Sequence, residues 1–155
     1  MNDELPESLP AETGEDVVSR CHVVVGLDCT EASERALHYA FGLATRLAAQ
    51  LVVVHVRHTW VTYDGYGPQG VIDDGGLDEQ MRHQITRLSA ECGVDSTYVD
   101  AAGSGRTALV IAQVAEKYRA DAVVVGASTT MLHRAAGSIG SQLIKHCGCP
   151  VTVVP

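Results

Sequence analysis

Three runs of valine constrain this chain more than any other feature. They stand in "CHVVVGLD" (21–28), "LVVVHV" (51–56) and "DAVVVG" (121–126). Each is apolar without a break and too short for a buried helix. A strand that is wet on one face alternates apolar and polar residues. A continuous β-branched run is what a strand covered on both faces requires. Two weaker patterns join them as strands, "DSTYVDA" (95–101) and "VTVVP" (151–155).

Helical patterns fill the gaps. In "TEASERALHYAFGLATRLAAQ", residues Ala36, Ala40, Leu43, Ala44 and Leu47 fall on one helical face. Thr30 stands where an N-cap belongs, and Glu31 and Glu34 suit the positive end of the helix. "LDEQMRHQITRLSAECG" is the second helix, and Ala108, Ile111, Ala115 and Tyr118 mark the third. Leu143, Ile144 and Cys147 mark the fourth, with Lys145 and His146 in its last turn, Gly148 as its cap and Pro150 beyond. Strands that alternate with helices predict an α/β fold: a five-stranded parallel sheet, doubly wound, with helices on both faces. The stretch 57–76 has five glycines, Pro68 and no steady period, and reads as a long loop. Trp60, Tyr63 and Tyr66 in it are available to cover a pocket or a partner surface.

A chain of 155 residues suits one domain. Residues 1–19 carry six acids with Pro6 and Pro10 and no periodicity, and are expected to be a disordered acidic tail ahead of a domain at 20–155. The tail accounts for most of the net charge of −8, and the body has thirteen acids against eleven bases. It has no Lys/Arg stripe, which argues against nucleic acid as a partner. No apolar run approaches the ~20 residues of a membrane helix, and the start of the chain has no basic region followed by an apolar stretch. The expected compartment is the cytoplasm. Five cysteines without regular spacing do not read as a disulfide framework. Cys147-Gly148-Cys149 is the one close pair. Alone it is a weak zinc signal, and Cys147 shares the apolar stripe of the last helix, so no metal site is expected.

Function concentrates at two strand ends. Open parallel sheets bind ligands beyond the carboxyl ends of the strands, where the strand order reverses. The first strand ends in Gly26-Leu27-Asp28 and the fourth in Gly126. Gly26 and Gly126 permit close backbone approach. Asp28 offers a carboxylate to a base or a ribose. Gly137, Ser138 and Ile139 open the last helix, where N–H groups without intrahelical partners favour an anion. Each also has a plainer reading, with Asp28 and Ser138 as helix caps. No Ser/His/Asp or Cys/His arrangement with motif support is present, so no catalytic residue is assigned. His55 reads as a packed histidine and "GSGRT" (103–107), which follows the third strand and lacks a phosphate-binding lysine, as a turn.

The stretches "VVVGLDCTEASERALHYA", "LVVVHV", "GSGRTALVIAQVAEKYRADAVVVGAS" and "GSIGSQLIKHCGCPVTVVP", in this order and spacing, resemble the universal stress protein family over residues 21–155. The resemblance implies a strand order of 3-2-1-4-5. It also implies a homodimer joined through the last strand (151–154), and in one branch a bound ATP, with Mg as its companion ion. That branch holds the nucleotide on a loop of the form G-x2-G-x9-G-[ST]. Carried over, Gly126 matches its first glycine and Gly137-Ser138 its closing pair. Ile139 and Gly140 continue the phosphate cradle. Asp28 matches the carboxylate after the first strand, with Gly26 and Leu27 as adenosine contacts and Val56 as the apolar residue near adenine. The chain departs from the pattern in two ways. Thr129 stands where the second glycine belongs, and ten residues separate Gly126 from Gly137 where the motif has twelve. Ser128 and its threonine neighbours offer hydroxyls to phosphate in compensation, with His133 and Arg134 as charges. The expected function is a cytoplasmic, dimeric, non-enzymatic stress-response protein that binds ATP or a related adenine nucleotide. The alternative is the same fold without nucleotide, acting as a dimeric interaction module.

Overall fold

A computed structural model describes residues 20–73, 75–103, 106–127 and 138–155. Ser128, Gly137 and the stretch from Thr129 to Ala136 lie outside the described residues, as does the acidic tail. The elements in chain order are β1 (His22–Leu27), α1 (Glu31–Leu47), β2 (Gln50–Arg57), β3 (Thr59–Asp64), β4 (Gly67–Asp73), α2 (Glu79–Cys92), β5 (Ser96–Ala102), α3 (Thr107–Lys117), β6 (Ala122–Gly126), α4 (Ile139–His146) and β7 (Val151–Val154).

Five strands form one parallel sheet in the order β5-β2-β1-β6-β7. Counted among the sheet strands alone, this is the expected 3-2-1-4-5. Both faces are covered, which explains the unbroken valines. On one face Val23, Val25, Leu51, Val53 and Val124 pack under α1 and α2. On the other, Val24, Val52, Val54, Val123 and Val125 pack under α3 and α4. Strand alternation sends neighbouring valines to opposite faces, so a strand buried on both needs an apolar residue at every position.

The face of α1 is broader than its predicted stripe. Leu37 and Phe41 are buried beside Ala36, Ala40 and Ala44, while Leu47 is exposed. In α4, Leu143 is fully buried but Ile144 is 67% exposed, so Ile144 does not belong to the core. The end of α4 also differs from expectation. Its cap is Cys147, in extended backbone, and Gly148 follows it. Both α1 and α2 close instead on left-handed residues, Ala48 and Gly93.

The long loop expected at 57–76 is instead an antiparallel hairpin, β3 with β4, forming its own two-stranded sheet. Its register shifts between Thr62 and Tyr63, which breaks the period-two signal. Asp64 organises the turn, its Oδ1 accepting from the Tyr66 N–H at 2.9 Å and its Oδ2 from the Gln69 side-chain amide at 2.6 Å. Such Asx turns are a local side-chain device that hydrophobic periodicity does not register. Tyr66 is fully exposed and Tyr63 is 74% exposed.

No helix among the described residues is long and apolar enough to cross a membrane.

Candidate nucleotide crevice

The strand order reverses between β1 and β6, because α1 leads from β1 to β2 on one side and β6 and β7 lie on the other. Gly26, Leu27, Asp28, Val56, Gly126 and Ile139 converge there on one crevice. All six are residues singled out from the sequence. Ser33, Thr107, Ile111 and Val125 complete its lining. Ser138 and Gly140 are not on that lining. Ser138 is exposed at the start of α4, and Gly140 is buried against β7.

The two glycines at the strand ends serve packing first. A Cβ on Gly126 would lie 2.6 Å from the Ala32 carbonyl carbon and 2.7 Å from the Ser33 nitrogen, both backbone atoms of α1. A Cβ on Gly26 would lie 2.8 Å from Ile111 Cδ1 on the opposite face. Each glycine lets a helix close onto its strand end, and that closeness narrows the crevice. A Cβ on Gly140 would meet Val153 Cγ2 at 2.5 Å, so this glycine seats α4 on β7.

The loop from β1 to α1 is built by its own hydroxyls. Thr30 Oγ1 accepts from the Ser33 N–H at 3.2 Å, and Ser33 Oγ accepts from the Thr30 N–H at 3.1 Å, a reciprocal capping box. Asp28 Oδ1 accepts from the Thr30 hydroxyl at 2.6 Å and the Thr30 N–H at 3.1 Å. The carboxylate is thus already committed through one oxygen to the helix start. Cys29, between them, sits in the left-handed region at φ 59°. Thr30→Ala is expected to cost about 1 kcal/mol through the lost cap. A thermal melt should register this as a fall in Tm of about 2–4 °C, and an unchanged Tm would contradict the cap.

At α4, Ser138 is the N-cap. Its Oγ accepts from the Ser141 N–H at 3.2 Å, and the Ser141 hydroxyl donates to the Ser138 carbonyl at 2.8 Å. The N–H groups of Ile139 and Gly140 have no intrahelical partner. Among the described residues that line the crevice there is no Lys or Arg, and Asp28 is the one carboxylate. The enclosed space is about 30 Å³, against the ~300 Å³ or more usual for small-molecule pockets. These residues therefore form an apolar floor with a polar rim, not a full chamber.

Comparison with known proteins decides the lineage. Residues 20–155 match the model of the universal stress protein family. The chain belongs to the universal stress protein family. A Staphylococcus epidermidis protein named as a universal stress protein is 23% identical over 142 residues, spanning 89% of this chain and 86% of its own length. A universal stress protein solved in complex with cAMP shares the fold at a TM-score of 0.62, with 20% identity, covering 87% of this chain and 96% of that one. The universal stress protein from Archaeoglobus fulgidus in complex with dAMP does so at 0.57, with 18% identity, covering 87% and 98%.

Within this universal stress domain, the sequence reading missed one wall of the crevice. "GSGRT" does follow an edge strand, but α3 runs back across the sheet from β5 to β6. Its first turn therefore lies over the ends of β2 and β1, and Thr107 and Ile111 reach the crevice. Thr107 Oγ1 lies 3.4 Å from His58 Nε2, which ties the end of β2 to the start of α3. The helical period that places Ile111 in the core also places Thr107 one turn earlier on the same side, and that was the available signal. Ser33 was legible as the fourth residue of T-x-x-S, a capping box with serine in place of the usual glutamate. His55 is packed as expected: it is 6% exposed, with Nδ1 3.8 Å from Asp100 Oδ1. It faces the α1/α2 side and is not on the crevice lining. Nor are Tyr63 and Tyr66.

Proposed function

We propose that this chain is a regulatory protein that holds an adenine nucleotide at the β1/β6 switch point and acts without chemistry on it. The observation that carries this reading is the convergence of Gly26, Leu27, Asp28, Val56, Gly126 and Ile139 on one crevice beside the N-terminus of α4. On this reading adenine lies over the apolar floor of Val56, Val125 and Ile111, and Asp28 Oδ2, the carboxylate oxygen that Thr30 does not engage, is the acceptor offered to the ribose or base. The phosphates lie toward Ser138, Ile139 and Gly140, where the helix dipole favours negative charge. ATP with Mg is the fullest ligand on this reading, and Ser128 and Gly137 are its remaining contacts. The cAMP and dAMP held by two relatives of the same fold support the adenine class. Pairing of two copies through β7, and a cytoplasmic setting, complete the proposal. β7 is an edge strand with Val153 at 42% exposure, and an apolar edge invites a second strand.

Two observations favour a nucleotide-free interaction module instead: the commitment of Asp28 Oδ1 to Thr30 and the small enclosed volume. Thermal stability with and without millimolar AMP, cAMP and Mg-ATP separates the readings. Nucleotide at ~100 times its Kd stabilises by about 2.7 kcal/mol. Thr107→Trp, which fills the crevice from its rim, is expected to remove that gain. Absence of any shift with all three nucleotides, and of nucleotide released on denaturation, selects the interaction module.

A further inference from the structure

The turn between α4 and β7 carries two thiols, Cys147 and Cys149, separated only by Gly148. In a straight extended segment, side chains two apart share a face and those one apart oppose. Real disulfide formation between such near neighbours depends on both sulfurs being turned to one another by a local bend. The chain bends at Gly148 and Cys149 before β7 begins. Both cysteines are half-buried and both pack against the same α3/α4 core. Residues two apart have Cα atoms no more than about 7 Å apart even at full extension, close to the upper end, about 6.8 Å, of the range a disulfide spans. Glycine between them leaves the bend free of a side chain. An open cavity of about 340 Å³ lies alongside, lined by Cys149 with His146, Arg119 and Glu116. It gives a small solute access to one thiol of the pair.

We propose that Cys147 and Cys149 are a dithiol that peroxide converts to an intramolecular disulfide. Cys149 Sγ attacks one peroxide oxygen through the cavity. The O–O bond breaks, an S–O bond forms, and the thiol proton leaves with the other oxygen as water. Cys147 Sγ then attacks the sulfenic sulfur of Cys149. An S–S bond forms, the S–O bond breaks, and the Cys147 proton leaves with that oxygen as a second water. The two sulfurs together lose two electrons and hydrogen peroxide gains them. Burial pushes both thiols up, with the negative charge of Asp121 adding to the effect on Cys149 and that of Cys149 to the effect on Cys147. This lowers the share of thiolate, the form that attacks peroxide, so the first step quickens as pH rises. The same burial disfavours a charged sulfinate and favours the uncharged disulfide.

The test uses the full chain, fully reduced and then treated with a few equivalents of hydrogen peroxide. Remaining thiols are alkylated, and trypsin, cutting after Lys145, isolates residues 146–155 as one peptide with both cysteines. The expected product is that peptide unalkylated and lighter by two hydrogen atoms, in protein that runs as a monomer on a denaturing non-reducing gel. Treatment with a reductant should restore alkylation at both sites. Cys147→Ser and Cys149→Ser should each abolish the lighter peptide. Doubly alkylated peptide at peroxide levels that already oxidise Cys29 would overturn the proposal. So would disulfides between copies, or oxygen additions to either thiol in place of the internal bond.

Discussion

Gly126→Ala is expected to lower stability by about 3 kcal/mol, near the upper end for overpacking. For a chain of this length that is a fall in Tm of about 6–12 °C. The added methyl would lie 2.6–2.8 Å from Ala32 C, Ser33 N and Ala32 O. None of these can rotate away, because they are the backbone of the first turn of α1, held by the Thr30–Ser33 capping box. Relief requires α1 to lift off β6, which opens the core around Ala36, Ala40 and Val124. Gly26→Ala is the internal comparison. Its closest neighbour is the Cδ1 tip of Ile111 at 2.8 Å, which can change rotamer. It should lose about 1 kcal/mol. Equal Tm losses for the two variants would show that contact with backbone does not dominate at Gly126.

That contrast also shows how much of the site was legible. The glycines at both strand ends stand out in the sequence, and the strand order implied by the family resemblance puts them at the switch point. Their primary reason does not show in sequence. A glycine beneath a helix and a glycine beneath a phosphate look alike until the distance to Ala32 is known. The sheet was legible because valine runs report burial on both faces, whatever the sequence separation of the partners. The hairpin at 59–73 was not. Its signals are local, an Asx turn at Asp64 and a register shift at Thr62/Tyr63, and they interrupt the periodicity by which strands are recognised. Ile144 was misplaced for a related reason. An eight-residue helix has barely two turns, so its apolar residues do not define a stripe, and Leu143 alone of the pair reaches the core. Thr107 was dismissed because the strand before it is at the edge, although the helix it begins crosses back toward the centre.

Leu143→Ala is expected to lower stability by about 3 kcal/mol and to remove nucleotide-induced stabilisation as well, although Leu143 is not on the crevice lining. The stability loss follows from a fully buried leucine. The second effect follows from the length of α4. A helix of eight residues does not hold itself together in water and depends on packing. Gly140 and Leu143 are its buried residues. With Leu143 truncated, the helix loses its anchor over Val123, Val125 and Ala115, and Ser138, Ile139 and Gly140 lose their fixed positions beside the crevice. Leu88→Ala separates this from general weakening. Leu88 is buried in α2 on the opposite face of the sheet, and its truncation should lose a similar amount of stability. The increment from Mg-ATP or AMP should survive in Leu88→Ala and vanish in Leu143→Ala, with both compared well below their melting temperatures by calorimetric titration. If both variants keep the increment, α4 does not carry the phosphate end of the site. If both lose it, binding tracks global stability and not the seating of one short helix.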